Sequence, residues 1–387
     1  MTTLRVIADD AVARTSAQQS SRPRINGLTR YASELTRALI DTAPPECDVE
    51  LIVSRRPRAE LDEFGRQFPG AAGTTPVSMP HGALASAWAN GVRVAAGTGI
   101  LHAPSLFAPL VRGDQHVARQ LVVTVHDTIA WTHPNSLEPG VAAWTRRMAR
   151  RAAKHADAIV VPSHAVAAEL AEHIDVGERI RVIPGATSAS IVLPADPEVR
   201  ASWLKLPERF VLASGSMDPR SGIDALIEAA ALPEFQDVPV LIIGEDAWRG
   251  RRITEAAMLA GLPEGRVRPL GAVSDSDLAL LLKRAEAFVA PSYAEGFGLM
   301  ALEALAFGTP LVHSDAPALV ELASGAGYPV VRYNAGSSYA QRLATAVGSV
   351  LAGNADAEAL ATLGRDRAKA FSWRDSGARV WQLHAEL

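Results

Sequence analysis

Short runs of β-branched and aliphatic residues alternate with longer stretches of helical period along almost the whole chain, and that alternation leaves few folds open. It is the pattern of parallel strands joined by crossover helices, with helices covering both faces of each sheet. The predicted strands are LRVIAD (4–9), VELIV (49–53), ILHA (100–103), QLVVTVHD (120–127) and AIVVP (158–162), followed by RFVLAS (209–214), VPVLIIG (238–244), AFVAPS (287–292) and PLVHSD (310–315). They form two clusters. Between them the stretch from Pro184 to Arg200 is rich in Pro and Ala and has little periodicity, so the expected division is residues 1–190 and residues 191–370. Residues 371–387 read as a terminal helix, capped by Ser372, that packs back on the body through Val380, Trp381 and Leu383. A length of 387 residues suits two domains of similar size better than one core. The expected class is α/β, with two doubly wound Rossmann-like domains and a cleft between them.

Composition narrows the function. The formal net charge of −4 gives no global attraction to nucleic acid, and none is expected as a partner. One cysteine, Cys47, allows no internal disulfide and suits a reducing cytoplasm. No apolar run reaches the roughly eighteen residues of a membrane span, and the opening MTTLRVIADDAV reads as a first strand rather than a leader. The Ser/Gln/Arg-rich stretch from Thr15 to Gly27 reads as a long loop.

Open parallel sheets bind ligands beyond the carboxyl ends of their strands. After AFVAPS comes such a segment. Gly296 and Gly298 bracket Phe297 in a turn, Leu299 to Phe307 is helix-forming, Gly308 suits a left-handed cap and Pro310 forbids continuation. A helix start preceded by glycines offers free N–H groups and a partial positive charge, suited to a diphosphate. Glu295 precedes that helix and Glu303 lies on its otherwise apolar body. Two carboxylates so placed can accept hydrogen bonds from the vicinal hydroxyls of a hexose and a ribose. The residues alone equally allow a solvated Glu303 and a Glu295 that only complements the helix dipole.

The segment PSYAEGFGLMALEALAFGTPLVHSDAPALVEL resembles the donor site of family-4 retaining glycosyltransferases, in which a glutamate, seven residues and a second glutamate follow a Pro-Ser strand end. NGLTRYASELTRAL (26–39), VVTVHDT and VRPLGAVSDSDLALLLKRAEAFVAPS resemble other parts of that family in the same order. The resemblance implies a GT-B fold, an N-terminal acceptor-binding domain and a C-terminal domain that binds a nucleoside diphosphate sugar. It implies a metal-independent hexosyltransferase, mannosyltransferase-like in its motifs, acting with retention on a saccharide, lipid-linked or small-molecule hydroxyl, with no cofactor beyond the sugar nucleotide. By position, Glu303 would hold the ribose, Glu295 the transferred sugar, and the backbone of Gly296, Phe297, Gly298 and Leu299 the sugar and phosphates. His126 would approach the reacting carbon, and Gly27 would line the diphosphate side. All are expected to converge on the interdomain cleft.

One departure stands out. The family carries an arginine directly after the glycine that ends RFVLASG, or a lysine some positions on, to neutralise the leaving diphosphate. Here Gly215 is followed by Ser216, and Ser221 takes the second position. Arg220 is the expected substitute, with Arg24 or the group Arg249, Arg251 and Arg252 as weaker ones. The loss of both basic positions leaves open a scaffold that kept the fold without the chemistry, and the fold also admits a phosphorylase or a sugar-nucleotide epimerase.

Two further signals are read conservatively. Asp275-Ser276-Asp277 resembles a metal-binding Asp-x-Asp, but its setting is that of caps on an amphipathic helix, and no metal site is expected. His102 and His133 lack companions at metal spacing and read as packing or loop residues. Arg146, Arg147, Arg150, Arg151 and Lys154 share one helical face, which suits either a solvated face paired with acids or peripheral contact with an anionic membrane on the cytoplasmic side.

Overall fold

The computed structural model describes residues 2–12, 27–94, 96–111, 119–353 and 357–387. Arg24 and the expected loop as far as residue 26 lie outside them. The chain divides into two compact units, Met1–Gly185 together with Ser372–Leu387, and Ala186–Phe371.

In the N-terminal unit seven strands form one parallel sheet: β1 (Thr2–Ile7), β2 (Cys47–Val53), β3 (Gly73–Pro76), β4 (Gly99–Ala103), β5 (Arg119–Thr124), β6 (Ala158–Val161) and β7 (Ile180–Val182), in the order β3-β2-β1-β4-β5-β6-β7. The order reverses between β1 and β4, which is where a doubly wound sheet opens a crevice at its carboxyl edge. Both faces are covered, so the central strands are apolar at consecutive positions. Leu121 and Val123 join the cluster on one face, while Val122 is also fully buried.

The helix Trp373–Glu386 belongs to this unit. Ser372 accepts a hydrogen bond from the Asp375 N–H and starts it, and Val380, Trp381 and Leu383 are buried. It lies against the helix Gly27–Asp41 so closely that a Cβ on Gly377 would stand 2.8 Å from the Ala38 carbonyl oxygen, and Trp381 Nε1 donates to Leu39 O at 3.0 Å. A buried relay ties its end to the sheet. Gln120 Oε1 accepts from His384 Nδ1 at 2.6 Å, which leaves His384 Nε2 to accept from His102 Nδ1 at 3.3 Å.

The C-terminal unit repeats the plan with β8 (Val211–Ser214), β9 (Val240–Ile243), a small antiparallel ribbon of β10 (Ala247–Trp248) and β11 (Arg251–Arg252), then β12 (Val267–Gly271), β13 (Ala287–Ala290), β14 (Leu311–Ser314) and β15 (Tyr328–Val330). The six-stranded parallel sheet runs β12-β9-β8-β13-β14-β15, reversing between β8 and β13. Val211 and Ala213 face one core while Phe210 and Leu212 face the other. Burying a Val, Leu or Phe side chain there contributes about 1.5–3 kcal/mol, and this packing on both faces holds the strands whose carboxyl ends carry the candidate residues.

Candidate functional site

In the C-terminal unit the two loops that matter leave neighbouring strands on either side of the reversal point. The first follows β8. Gly215 takes φ 154°, and a Cβ there would stand 2.8 Å from Ile223 Cγ1, so only glycine fits. The chain then folds on itself. Ser216 Oγ donates to Asp218 Oδ2 at 3.1 Å, and Asp218 Oδ1 accepts from the Arg220 backbone N–H at 3.1 Å. Ser221, buried, directs its hydroxyl to the carbonyls of Ser216 and Asp218. Both serines at the family's basic positions are thus engaged within the loop, and the cation of this turn is Arg220.

Arg220 reaches across to the second loop, which follows β13. Its Nη1 donates to Ala294 O at 3.0 Å and to Glu295 Oε2 at 3.4 Å, while Nε lies 3.8 Å from Asp218 Oδ1. Two carboxylates and a carbonyl therefore hold one guanidinium. The backbones are tied as well, since Tyr293 N–H donates to Arg220 O at 2.7 Å.

Past Glu295, whose Oε1 accepts weakly from Gly296 N–H at 3.4 Å, Gly298 turns the chain at φ 90° into the helix Leu299–Phe307, and Gly308 closes that helix at φ 72° before Pro310. A Cβ at Gly298 would meet Leu319 Cδ2 at 2.7 Å. Gly296 is buried, Leu299 half-buried, and Phe297 packs edge-on against Phe371 with ring centres 5.6 Å apart. Phe297 is therefore a core side chain. Glu303 is 0 % exposed, which overturns its reading as a solvated helix residue.

The other expected residues lie in the N-terminal unit. His126 follows β5 and donates from Nε2 to Pro104 O at 2.7 Å, with its ring edge-on to Tyr31 at 4.7 Å. Burial pulls its basicity below the ordinary imidazole value, although the Pro104 carbonyl, Asp127 and Asp10 act the other way. It is therefore neutral at neutral pH, with the proton on Nε2 and the lone pair on Nδ1. Gly27 is the exposed first residue of its helix, and nothing within 4 Å would meet a Cβ there.

Sequence reasoning missed a polar cluster on the same edge. Asp9 is buried just beyond β1, accepting from Ser54 N–H at 2.7 Å and from Arg56 Nη2 at 2.8 Å, with His81 Nδ1 at 3.7 Å. Burial raises its pKa, but His81, Ser54 and Arg56 outweigh that and leave it lowered. Asp10 accepts from Ser105 Oγ at 2.6 Å, bridging the ends of β1 and β4 at the reversal point. The signal was two adjacent acids closing an apolar strand. On the sequence alone it reads as a strand end.

The discounted signals resolve plainly. Asp277 is buried, accepts from Arg200 Nη2 at 2.8 Å, and offers its N–H to Ser274 Oγ at 3.2 Å, which is the cap expected. His102 is core, and the His133 N–H closes the short helix Ile129–Thr132 at 2.9 Å. Among the weaker cations, Arg249 lies over Trp248 at 4.6 Å, Arg252 pairs with Asp246 and Arg251 is exposed. On the helix Val141–His155, Arg147, Arg150 and Lys154 are exposed, and Arg146 and Arg151 are half-buried. No ion pair among the described residues involves any of the five.

Residues 25–189 match the family model described as Glycosyltransferase Family 4, and residues 196–367 that described as Glycosyl transferases group 1. The chain is 28 % identical over 239 residues to the O-antigen chain mannosyltransferase B of Escherichia coli, a match covering 59 % of this chain and 60 % of that protein, less than two thirds of its length. Among solved structures, sucrose-phosphate synthase from Thermosynechococcus elongatus superposes with a TM-score of 0.75 at 22 % identity, covering 100 % of this chain and 99 % of that one. Anabaena HepE in complex with UDP and glucose superposes with a TM-score of 0.69 at 18 % identity, covering 100 % of both chains. At such identities the structural likeness is one of fold. Among the described residues no helix is long and apolar enough to cross a membrane.

Proposed function

The chain belongs to the group 1, family 4 glycosyltransferases and has their GT-B fold, and from that premise we propose that it moves a hexose from a nucleoside diphosphate sugar to a hydroxyl, with retention and without a metal. The observation that carries this reading is the guanidinium of Arg220 held beside Glu295 at the reversal point of the C-terminal sheet. A diphosphate at the start of the helix Leu299–Phe307 meets the N–H groups of that helix and the glycine turn, with Arg220 as counter-charge to the leaving group. Gly215 and Ser216 lend backbone and hydroxyl to the same phosphates. Glu295 accepts from the transferred sugar and Glu303 from the ribose. In the N-terminal unit Gly27 approaches the diphosphate by backbone, and the neutral His126 presents its Nδ1 lone pair to a hydroxyl near the reacting carbon.

Retention follows if the departing phosphate takes the acceptor's proton on the face it leaves. No protein group then acts as nucleophile, and Glu295 and His126 position and polarise. The name of the matched mannosyltransferase and the UDP and glucose held by HepE support a nucleotide-sugar donor, with a saccharide, lipid-linked or small-molecule acceptor. Calorimetric titration with UDP, GDP and their sugars, followed by a hydrolysis assay, tests the reading. An enzyme binds one nucleotide and slowly hydrolyses its sugar. A scaffold, the reading that Ser216 and Ser221 left open, does neither.

The unpaired cations of the helix Val141–His155 support peripheral contact with an anionic bilayer, each contributing about 1 kcal/mol near such a surface. Sedimentation with phosphatidylglycerol vesicles, lost on phosphatidylcholine vesicles and in an Arg147→Glu, Arg150→Glu, Lys154→Glu protein, is the expected result. Equal binding to both vesicle types would contradict it.

A further inference from the structure

We propose that Asp218 is the positioning residue for Arg220: its carboxylate shapes the 215–222 turn so that the guanidinium is already set beside Glu295 when the diphosphate arrives. The inference rests on the reading of Arg220 as the cation of the donor site, and goes beyond it by assigning the neighbour that makes an offset arginine usable.

The turn is anchored at both ends. Gly222, at φ 68°, packs so tightly that a Cβ would stand 2.1 Å from Pro291 O, and Arg220 O accepts from Tyr293 N–H at 2.7 Å. These contacts fix where residues 220–222 cross to the β13 loop. At the near end Gly215 N–H donates to Ile243 O at 3.0 Å, and the side chain of Met217 is buried in the core. Between these anchors Asp218 orders the polar groups, since one carboxylate, largely buried, takes the Ser216 hydroxyl on Oδ2 at 3.1 Å and the Arg220 N–H on Oδ1 at 3.1 Å. Ser221 Oγ closes the turn from below, on Asp218 O at 2.9 Å.

A side-chain oxygen that accepts from the N–H two residues on is a turn-forming device, and here it orients the residue that carries the charge. The same Oδ1 lies 3.8 Å from Arg220 Nε, so the near side of the guanidinium is steered by Asp218 while Nη1 is fixed by Ala294 O and Glu295. A cation held in one geometry before the reaction loses no reorganisation energy during it. The important property of Asp218 is the position of its acceptor oxygen. Its charge repels that of the leaving phosphate and draws on Arg220 Nε only across 3.8 Å.

That distinction makes the proposal testable with two near-isosteric variants. Asp218→Asn keeps an acceptor oxygen in place and removes the charge. Asp218→Glu keeps the charge and moves the oxygens by a methylene. Each is combined with Arg220→Ala in a double-mutant cycle, read as the Kd of UDP and of GDP by calorimetry and as hydrolysis of UDP-glucose and GDP-mannose, with thermal midpoints to confirm folding. Asp218→Glu is expected to lose turnover by about ten- to a hundredfold, the scale of a displaced catalytic group, but to cost under about twofold once Arg220 is already Ala. Asp218→Asn is expected to keep turnover within about threefold. Equal losses from Asp218→Glu in both backgrounds, or an Asp218→Asn protein as impaired as Asp218→Glu, would overturn the positioning role. An Arg220→Ala protein with unchanged Kd and hydrolysis would instead overturn the reading of Arg220 itself.

Discussion

Arg220 Nη1 lies 3.4 Å from Glu295 Oε2, and the two side chains leave loops that follow adjacent strands, β8 and β13, of one parallel sheet. The cation proposed for the diphosphate and the carboxylate proposed for the sugar thus hold each other. Each keeps the other in a single geometry, and both are partly exposed, so the pair adds little to stability in water. Its value is positional.

Arg220→Ala is therefore expected to lower turnover by about a hundredfold or more, the scale of one electrostatic contact strengthened in the transition state. Arg249→Ala, whose guanidinium lies over Trp248, is expected to change turnover little. Steady-state kinetics on both proteins, with thermal midpoints near wild type, provide the check. Comparable losses in the two would point away from Arg220.

Glu303→Gln tests the ribose contact proposed for Glu303. Glu303 is 0 % exposed inside its helix, so an amide of nearly the same shape keeps the packing and replaces one of the two carboxyl oxygens by an N–H donor. Losing an acceptor for a hydroxyl costs about 0.5–1.5 kcal/mol, which corresponds to nucleotide binding weaker by about two- to tenfold. Calorimetry with UDP and GDP measures it. Unchanged affinity for both would remove Glu303 from the donor site.

How far the sequence could be read depended on burial. The nine expected strands are all present, because central parallel strands are apolar on both faces and stand out as runs such as VLAS and AFVA. The strands that were missed are of another kind. β3, GTTP, and β15, YPV, are short edge strands that contain proline, and β12 carries Pro269 at the opposite edge. β7 is three residues long with only half-buried or exposed side chains. The glycine turn and its helix were legible because φ above zero before an apolar run demands glycine, at Gly298 as at Gly308. Asp218 was not, since a carboxylate in a polar turn looks like any solvated acid until the chain has folded around it. Nor could the Asp9 cluster be read, because its partners Ser54, Arg56 and His81 come from the ends of other strands.

Gly222→Ala probes the anchor of the arginine turn. The new Cβ would stand 2.1 Å from the Pro291 carbonyl in a backbone at φ 68°, and neither strand end can move cheaply. Strain of this kind costs about 3 kcal/mol, or roughly 6–12 °C of thermal midpoint in a unit of this size. Gly82→Ala is the control, since nothing within 4 Å would meet its Cβ and its helix favours alanine. Its midpoint should hold or rise slightly. A Gly222→Ala protein as stable as the control would mean that the close approach at Pro291 is not maintained.

Acid should loosen the C-terminal helix. Burial holds His384 at about 4 in the folded chain, against about 6.5 for an unperturbed imidazole, and His102 is depressed in the same direction by burial and by His384. Between these values the unfolded chain binds protons that the folded chain refuses, so stability falls as pH drops from about 6.5 towards about 4. His384 alone accounts for a loss on the order of 3 kcal/mol at the low end of that window. Urea midpoints at pH 7 and pH 5 should separate in the wild-type chain and converge in part in His384→Gln. A midpoint indifferent to pH over that range would show that the imidazole pair is not buried as described.

The most direct test of the central claim is the configuration of the product. With the nucleotide sugar and acceptor identified by titration and hydrolysis, NMR of the first product formed reports whether its new anomeric bond has the donor's configuration. Retention is expected on the proposal that the leaving phosphate, held by Arg220 and the start of the helix Leu299–Phe307, takes the acceptor's proton on the face it leaves. An inverted product would contradict it and would require a general base opposite the diphosphate.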